Sequence, residues 1–374
     1  MNVPSAKIVF SDIDKKEILK KIDKVLSSGY LTLGKYVKDF ENKFAEYIGL
    51  KYAVGVNSGT SSIEIILRSL KIKDSSIIVP TNTFAATAFA VDHSKNKIIF
   101  ADCAYDFNID PDSLNEVISK DTKALILVHI GGNISNNIEQ IKEICEDNKI
   151  ILIEDAAHAH GSSFKGIKAG AFGYASSFSF YPTKVITSGE GGMILTDDKK
   201  LYEKACQFRD QGKESFFSNK IVEMGYNWRM SEIHAVIGIE HFKCLDSFIA
   251  DRTRIAEIYK RRLKEMKNVQ ALDFQEAMKS NYYKYITVLK KGIDRTVLKK
   301  ELKEKFNVSL SGEVYDVPLH LQPIFKKVCK TKKGDFPVAE DLCSRQICLP
   351  NFATMTNEQA NYVIDSLKEV LKQY

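Results

Sequence analysis

No stretch of the sequence approaches the roughly 18 consecutive apolar residues that a membrane helix needs, so a membrane-spanning protein is not expected. The first 21 residues lack a basic start running into an apolar stretch, which argues against a secretory signal. No C-x-x-C pair occurs. The seven cysteines (Cys103, Cys145, Cys206, Cys244, Cys329, Cys343 and Cys348) are odd in number and widely spaced. Reduced thiols in a cytoplasmic protein are the expectation, ahead of a disulfide framework or a zinc site. Blocks of one charge are missing as well. With 54 Lys+Arg against 48 Asp+Glu, the net charge of +6 is spread along the chain. Nucleic acid is therefore not an expected partner, while an anionic small molecule is compatible. Internal repeats and low-complexity segments are also absent.

The 374 residues are 44% hydrophobic and 27% charged, enough apolar material for a large core and too much for a disordered chain. Strand-like apolar runs at 52–56, 76–79, 97–100, 124–128 and 150–153 alternate with helical stretches at 61–70, 111–119 and 137–148. This alternation implies βαβ units and a mostly parallel sheet. Two more strands are expected at 174–180 and 192–196. From Ser231 to about Met266 the spacing predicts one long helix, able to link two lobes. Beyond it come a strand (285–289), a helix (295–306), a strand (308–310), a loop rich in Pro and His, and a closing helix (357–374). The expected organisation is a large α/β domain over 1–250 and a small α+β domain over 251–374. The N-terminal helix (14–27) belongs to neither by pattern alone.

Chemistry-bearing residues gather at expected strand ends. Glu154 and Asp155 close the strand at 150–153, where open α/β sheets bind ligands; one of the two acids can instead cap the next element. Lys184 lies between a hydroxyl-rich strand containing Ser179 and the glycine-dense turn 189–192, where backbone can approach a ligand closely. It is either a solvated surface charge or a partly buried amine able to form a Schiff base with a carbonyl. Asn57-Ser58-Gly59-Thr60-Ser61 joins a strand to a helix N-terminus, which is an anion site or a plain capped turn. The segment is neither a nucleotide P-loop nor a dinucleotide fingerprint. Phe84 follows another strand end and either stacks on a planar cofactor or packs in the core. Phosphate cradle, aromatic, aspartate and lysine together match the needs of pyridoxal 5'-phosphate (PLP). His158 and His160 form an H-x-H pair without further ligand-spaced residues, so no metal is expected.

NSGTSS (57–62), PTNTFAAT (80–87), EDAAHAHG (154–161), SFSFYPTKVITSGEGG (177–192) and GYNWRMSEIHAVIG (225–238) resemble the successive motifs of the sugar aminotransferase family, the DegT/StrS group. The likeness extends through VPLHLQPIF (317–325) and spans nearly the whole chain. It implies the α/β PLP-dependent transferase fold of type I, with a mostly parallel seven-stranded-type sheet. It also implies a homodimer that moves an amino group from L-glutamate onto a nucleotide-linked 3-keto or 4-keto sugar, for surface glycans or natural products. Carried over, Lys184 resembles the Schiff-base lysine and Asp155 the partner of the pyridine nitrogen, and His158 stands beside the ring's phenolic oxygen. Gly59, Thr60 and Ser179 match the phosphate positions and Phe84 the ring-stacking aromatic. Asn227 matches an asparagine lent to the second subunit's phosphate. Arg229, His320 and His129 are the candidate substrate contacts. Many relatives have His-Leu-Tyr-Gly where this chain has His129-Ile130-Gly131-Gly132, and loss of the tyrosine is expected to open space near the substrate. Two other functions compete: an aminotransferase for a free or phosphorylated keto sugar or cyclitol, and a regulatory protein that keeps the fold without the chemistry.

Overall fold

The alternating apolar runs build one seven-stranded sheet, described with the rest of the chain over residues 1–374 in a computed structural model. Its strands are β1 (Tyr52–Val56), β2 (Ser76–Pro80), β3 (Lys97–Ala101), β4 (Thr122–Val128), β5 (Ile151–Asp155), β8 (Ala175–Ser179) and β9 (Gly192–Thr196), in the order β1-β9-β8-β5-β4-β2-β3. All run parallel except β9, which pairs antiparallel with both neighbours. Six strands thus end, and β9 begins, at one edge of the sheet. Two short strands, β6 (Ser163–Phe164) and β7 (Ile167–Lys168), leave the sheet after β5. In the C-terminal region β10 (Val269–Ala271), β12 (Tyr285–Leu289) and β13 (Gln346–Leu349) form a separate antiparallel sheet, and β11 (Met278–Lys279) pairs with β6.

Helices cover both faces of the main sheet: α1 (Asp12–Ser28), α2 (Lys35–Ile48), α3 (Gly59–Ser69), α4 (Ala85–His93), α5 (Pro111–Val117), α6 (Ile138–Asp147), α7 (Lys199–Arg209) and α8 (Glu232–Phe242). Alternate strand residues feed opposite cores, as the two-residue period of a strand requires. Leu125 and Leu127 join Phe40, Phe44 and Ile141 on one face. Ala124 and Ile126 join Ile63, Ile66 and Val91 on the other. A third core forms around β12 and β13, with Val3 and with residues of α9 (Leu245–Leu263), α10 (Arg295–Phe306) and α13 (Asn357–Leu371). Two short helices, α11 (Pro323–Cys329) and α12 (Pro337–Arg345), pack between these regions.

Three expectations change. The long helix from Ser231 is two helices that break at Lys243-Cys244. His241 holds the end of α8 in place: its Nδ1 accepts the Thr187 N–H at 2.8 Å and its Nε2 lies 3.0 Å from the Val9 carbonyl. The following helix α9 buries Leu245 and Phe248 in the first core and Ile255, Tyr259 and Leu263 in the third, so the expected boundary near residue 250 falls inside it. The strand at 308–310 reduces to a single bridge from Val308 to Val3. The N-terminal segment is shared: α1 is ion-paired to α8 through Lys21 and Glu240, while Val3 lies in the third core. No helix is long and apolar enough to cross a membrane.

Candidate active site

The strand ends surround a cavity of about 540 Å³. Gly59, Thr60, Phe84, Asp155, His158, Ser179 and Lys184 all line it, together with Tyr283 and Tyr315 from the C-terminal region. Chain order separates these residues widely; the parallel sheet brings them to one edge.

At the end of β1 the chain turns through Asn57 and Ser58 into α3. Ser58 caps the helix by accepting the Ser61 N–H at 3.1 Å, and the Ser61 hydroxyl donates to Asn57 Oδ1 at 2.6 Å. The amides of Gly59 and Thr60 occupy the first two helical positions, where no intrahelical acceptor exists, and both residues line the cavity. A Cβ at Gly59 would lie 3.0 Å from the Cβ of Ser179, so a larger residue there would push on the Ser179 side chain.

Glu154 and Asp155 point to opposite sides of β5, as the strand period dictates. Asp155 lines the cavity and accepts the Thr87 hydroxyl at 2.8 Å and the Ala157 N–H at 3.2 Å. Burial pushes its carboxyl above the usual range despite those bonds and the Lys184 charge. Glu154 is fully buried elsewhere and accepts three backbone amides, from Gly170, Phe172 and Gly173, at 2.6–2.7 Å. It organises a turn.

The Gly131 N–H donates to His158 Nδ1 at 3.3 Å, which leaves the ring proton on Nε2, 3.3 Å from the Tyr315 hydroxyl. Burial, reinforced by Lys184, holds His158 well below the usual imidazole range, so it is a neutral donor. Its ring lies 4.5 Å from that of Tyr283. The Lys184 Nζ lies 5.1 Å from the same Tyr283 ring, with no carboxylate within 4 Å. Burial lowers its pKa to about 8, Asp155 opposing and Lys284 adding to the fall.

Other sequence candidates lie elsewhere. The His129 ring is fully buried, 2.8 Å from Glu154, and the substrate contact expected of it is replaced by support of the Glu154 turn. His320 is likewise fully buried, with Nδ1 2.7 Å from the Thr81 hydroxyl and Nε2 3.0 Å from Glu340; both nitrogens brace the C-terminal loop outside the cavity. Arg229 pairs with Asp210 at 2.6 Å, also outside the cavity. Asn227 is exposed on the loop beside it. His160 does not share a face with His158: it packs among Phe44, Phe178 and Phe180, and burial drives its pKa to about 3. Nor do the glycines after His129 open space. Gly131 and Gly132 have φ of 67° and 93°, and a Cβ on Gly132 would fall 2.0 Å from Asn281 Oδ1. They let Asn281 and the His158 backbone close over a tight turn.

Sequence reasoning missed Tyr283 and Tyr315. The only signal was an aromatic cluster before β12 and a tyrosine three residues before Pro318, in a region chosen for its histidines.

Residues 12–368 match the model of the DegT/DnrJ/EryC1/StrS aminotransferase family. The chain is 34% identical over 338 residues to a GDP-perosamine synthase of Escherichia coli O157:H7, with 90% of each protein covered. It superposes on Helicobacter pylori PseC, an aminotransferase of pseudoaminic acid biosynthesis, with a TM-score of 0.92, 28% identity and 100% of both chains covered. It also superposes on NtdA of Bacillus subtilis, solved with its bound cofactor PMP, with a TM-score of 0.88 and 28% identity over 97% of this chain and 83% of that one.

Proposed function

The chain belongs to the DegT/DnrJ/EryC1/StrS aminotransferase family, and on that premise we propose that it moves an amino group from L-glutamate onto a nucleotide-linked 3-keto or 4-keto sugar, with pyridoxal phosphate as cofactor. The observation that carries the reading is convergence: Lys184, Asp155, His158 and the free amides of α3 line one cavity. The residues fit the cofactor's parts. Gly59 and Thr60 amides with the Ser179 hydroxyl suit the phosphate, Phe84 the ring face, Asp155 the ring nitrogen and the His158 Nε2–H the phenolic oxygen.

Bound there, the cofactor would supply an electrophilic carbonyl and an electron-withdrawing ring. Asp155 would hold a proton on the ring nitrogen, because a buried carboxylate needs a cationic partner. Lys184, lowered to about 8, has about one amine in ten neutral at pH 7, at least about a hundredfold more than an ordinary lysine, and that amine would bond the cofactor's carbonyl and carry a proton as general base and acid. His158 donates through Nε2 and takes no proton itself.

Asn227, exposed beside a loop with Phe217 and Met224 bare to solvent, would reach the phosphate of a second copy, giving a homodimer with shared sites. The nucleotide-linked substrate is supported by the GDP-perosamine synthase relative. Remote binding to the nucleotide would hold the keto carbon against the cofactor's amine.

The test is a two-step exchange with purified protein. L-Glutamate should yield 2-oxoglutarate, and a nucleotide diphosphate keto sugar should then be aminated. The matching free sugar should be at least about a hundredfold less efficient, ~2.7 kcal/mol of transition-state binding. Equal efficiencies would move the substrate to a free or phosphorylated keto sugar or cyclitol. Absence of 2-oxoglutarate would overturn the reading.

A further inference from the structure

Three cations crowd Tyr283 without a carboxylate among them. Lys184 Nζ lies 5.1 Å and Lys284 Nζ 5.4 Å from the Tyr283 ring centre. Behind them Arg252 is buried, its guanidinium donating only to the carbonyls of Tyr282 and Asn351. The Lys284 side chain has neither an ion-pair nor a hydrogen-bond partner. Its place is fixed by its backbone, which donates to the Gly131 carbonyl at 3.0 Å in the turn that also holds His158. A half-buried amine with no counter-ion is costly, and such sites tend to be functional.

We infer that Lys284 is a positioning residue for the reaction: left without a counter-ion beside Tyr283, it repels charge at the Lys184 Nζ and keeps that amine nucleophilic. This rests on the reading of Lys184 as the reacting amine. The surroundings give the effect its direction. Lys184 faces Asp155 from β5, His158 and His160 from the following turn, Glu190 from the glycine turn, Tyr283 and Lys284 from the approach to β12, and Tyr315 from the C-terminal loop. Asp155 is the carboxylate that raises it; Lys284 is the cation that lowers it. Lys284 in turn faces Arg252 of α9, Cys348 of β13, Glu313 and Lys299, with Glu313 already ion-paired to Lys299. It also lines a neighbouring cavity with Glu257 and Lys260 of α9 and Glu276, neither acid within ion-pair distance of it. Burial, Arg252 and Lys299 press the Lys284 pKa downward, and Cys348 and Glu313 press it back up.

The test is competitive acetylation of the full-length protein with acetic anhydride over a pH series, with pyridoxamine phosphate bound so that the Lys184 amine is free. The labelling of the Lys184 peptide is read by mass spectrometry. Wild type should show a midpoint near 8. Lys284→Met should move it up by about half a unit or more, about threefold fewer neutral amines at neutral pH. Lys284→Gln should do the same should the Met variant not fold, and Lys284→Arg should restore the wild-type midpoint. Coincident midpoints for wild type and the neutral variants, or an Arg variant shifted as far as Met, would overturn the inference. In parallel, borohydride with PLP should fix the cofactor to the Lys184 peptide. Labelling elsewhere would sink the reading of the site and leave the Lys284-dependent midpoint standing, so the two failures are distinguishable.

Discussion

Glu154→Gln should destabilise the fold while sparing the cavity. The carboxylate accepts Phe172 and Gly173 amides at Oε1, and Gly170 together with the His129 ring at Oε2. Glutamine keeps one acceptor oxygen. If that oxygen takes the Oε1 place, the new NH2 group faces the Gly170 N–H, donor against donor. His129 can adapt, because its Nδ1 has no partner and can take the ring proton. Gly170 cannot. An unmet buried donor costs about 1–3 kcal/mol, and weakening the two remaining bonds from a charged to a neutral acceptor adds about 1–2. The expected loss is about 2–5 kcal/mol. At about 2.1 cal/mol/K of unfolding entropy per residue, a chain of this length should melt about 3–6 °C lower. Thermal unfolding followed by circular dichroism reads this directly. Below the transition, borohydride should still fix the cofactor to the Lys184 peptide, since Glu154 does not line the cavity. A Gln variant that melts within about 1 °C of wild type would refute the hydrogen-bond accounting. One that keeps its melting point and loses turnover would show that the wrong acid of the pair was placed at the cofactor.

Asp155→Asn should do the reverse, with little change in melting and turnover lower by about a hundredfold or more, because the ring nitrogen loses the anion that keeps it protonated; near wild-type rates would make Asp155 a structural residue. Mixed subunits test the role of Asn227. Lys184→Ala and Asn227→Ala chains, each weak alone, should regain activity together, because a mixed dimer can gather both lesions in one site and leave the other whole. No recovery, or full activity in a monomer measured by sedimentation, would contradict a shared site.

The main sheet was legible because most of its strands are short apolar runs bounded by polar turns, with the serine-rich β8 the exception, and the helix at 138–147 announced itself by Ile138, Ile141, Ile144 and Cys145 on one face. Helix α4 was not, since Ala85–His93 is apolar nearly all round and buried on most sides, leaving no stripe to count. The break between α8 and α9 was hidden for a different reason. The apolar stripe continues across Lys243, and only the distant contacts of His241 with Thr187 and Val9 fix where the first helix ends. At the site, Lys184 and Asp155 could be read from local context, a glycine-rich turn and a strand end. Tyr283 and Tyr315 could not, because their place in the cavity wall depends on how the C-terminal region folds back. Sequence also misjudged the glycines at 131 and 132, where a missing side chain suggested space. The chain uses them for backbone approach, and Asn281 fills the gap.

The cavity has walls of different origin: one from residues between Ser58 and Glu190, the other from Tyr283 and Tyr315 alone. Phosphate cradle, aspartate and lysine are thus encoded in one stretch of the chain, and what leans over the lysine in another. Substitutions in the loops that carry the two tyrosines can reshape the room above Lys184 while α3 and the ends of β5 and β8 stay where they are. A library confined to positions 283 and 315 and their neighbours would therefore explore new acceptors on a constant catalytic floor, a modularity by which one scaffold can serve many sugars.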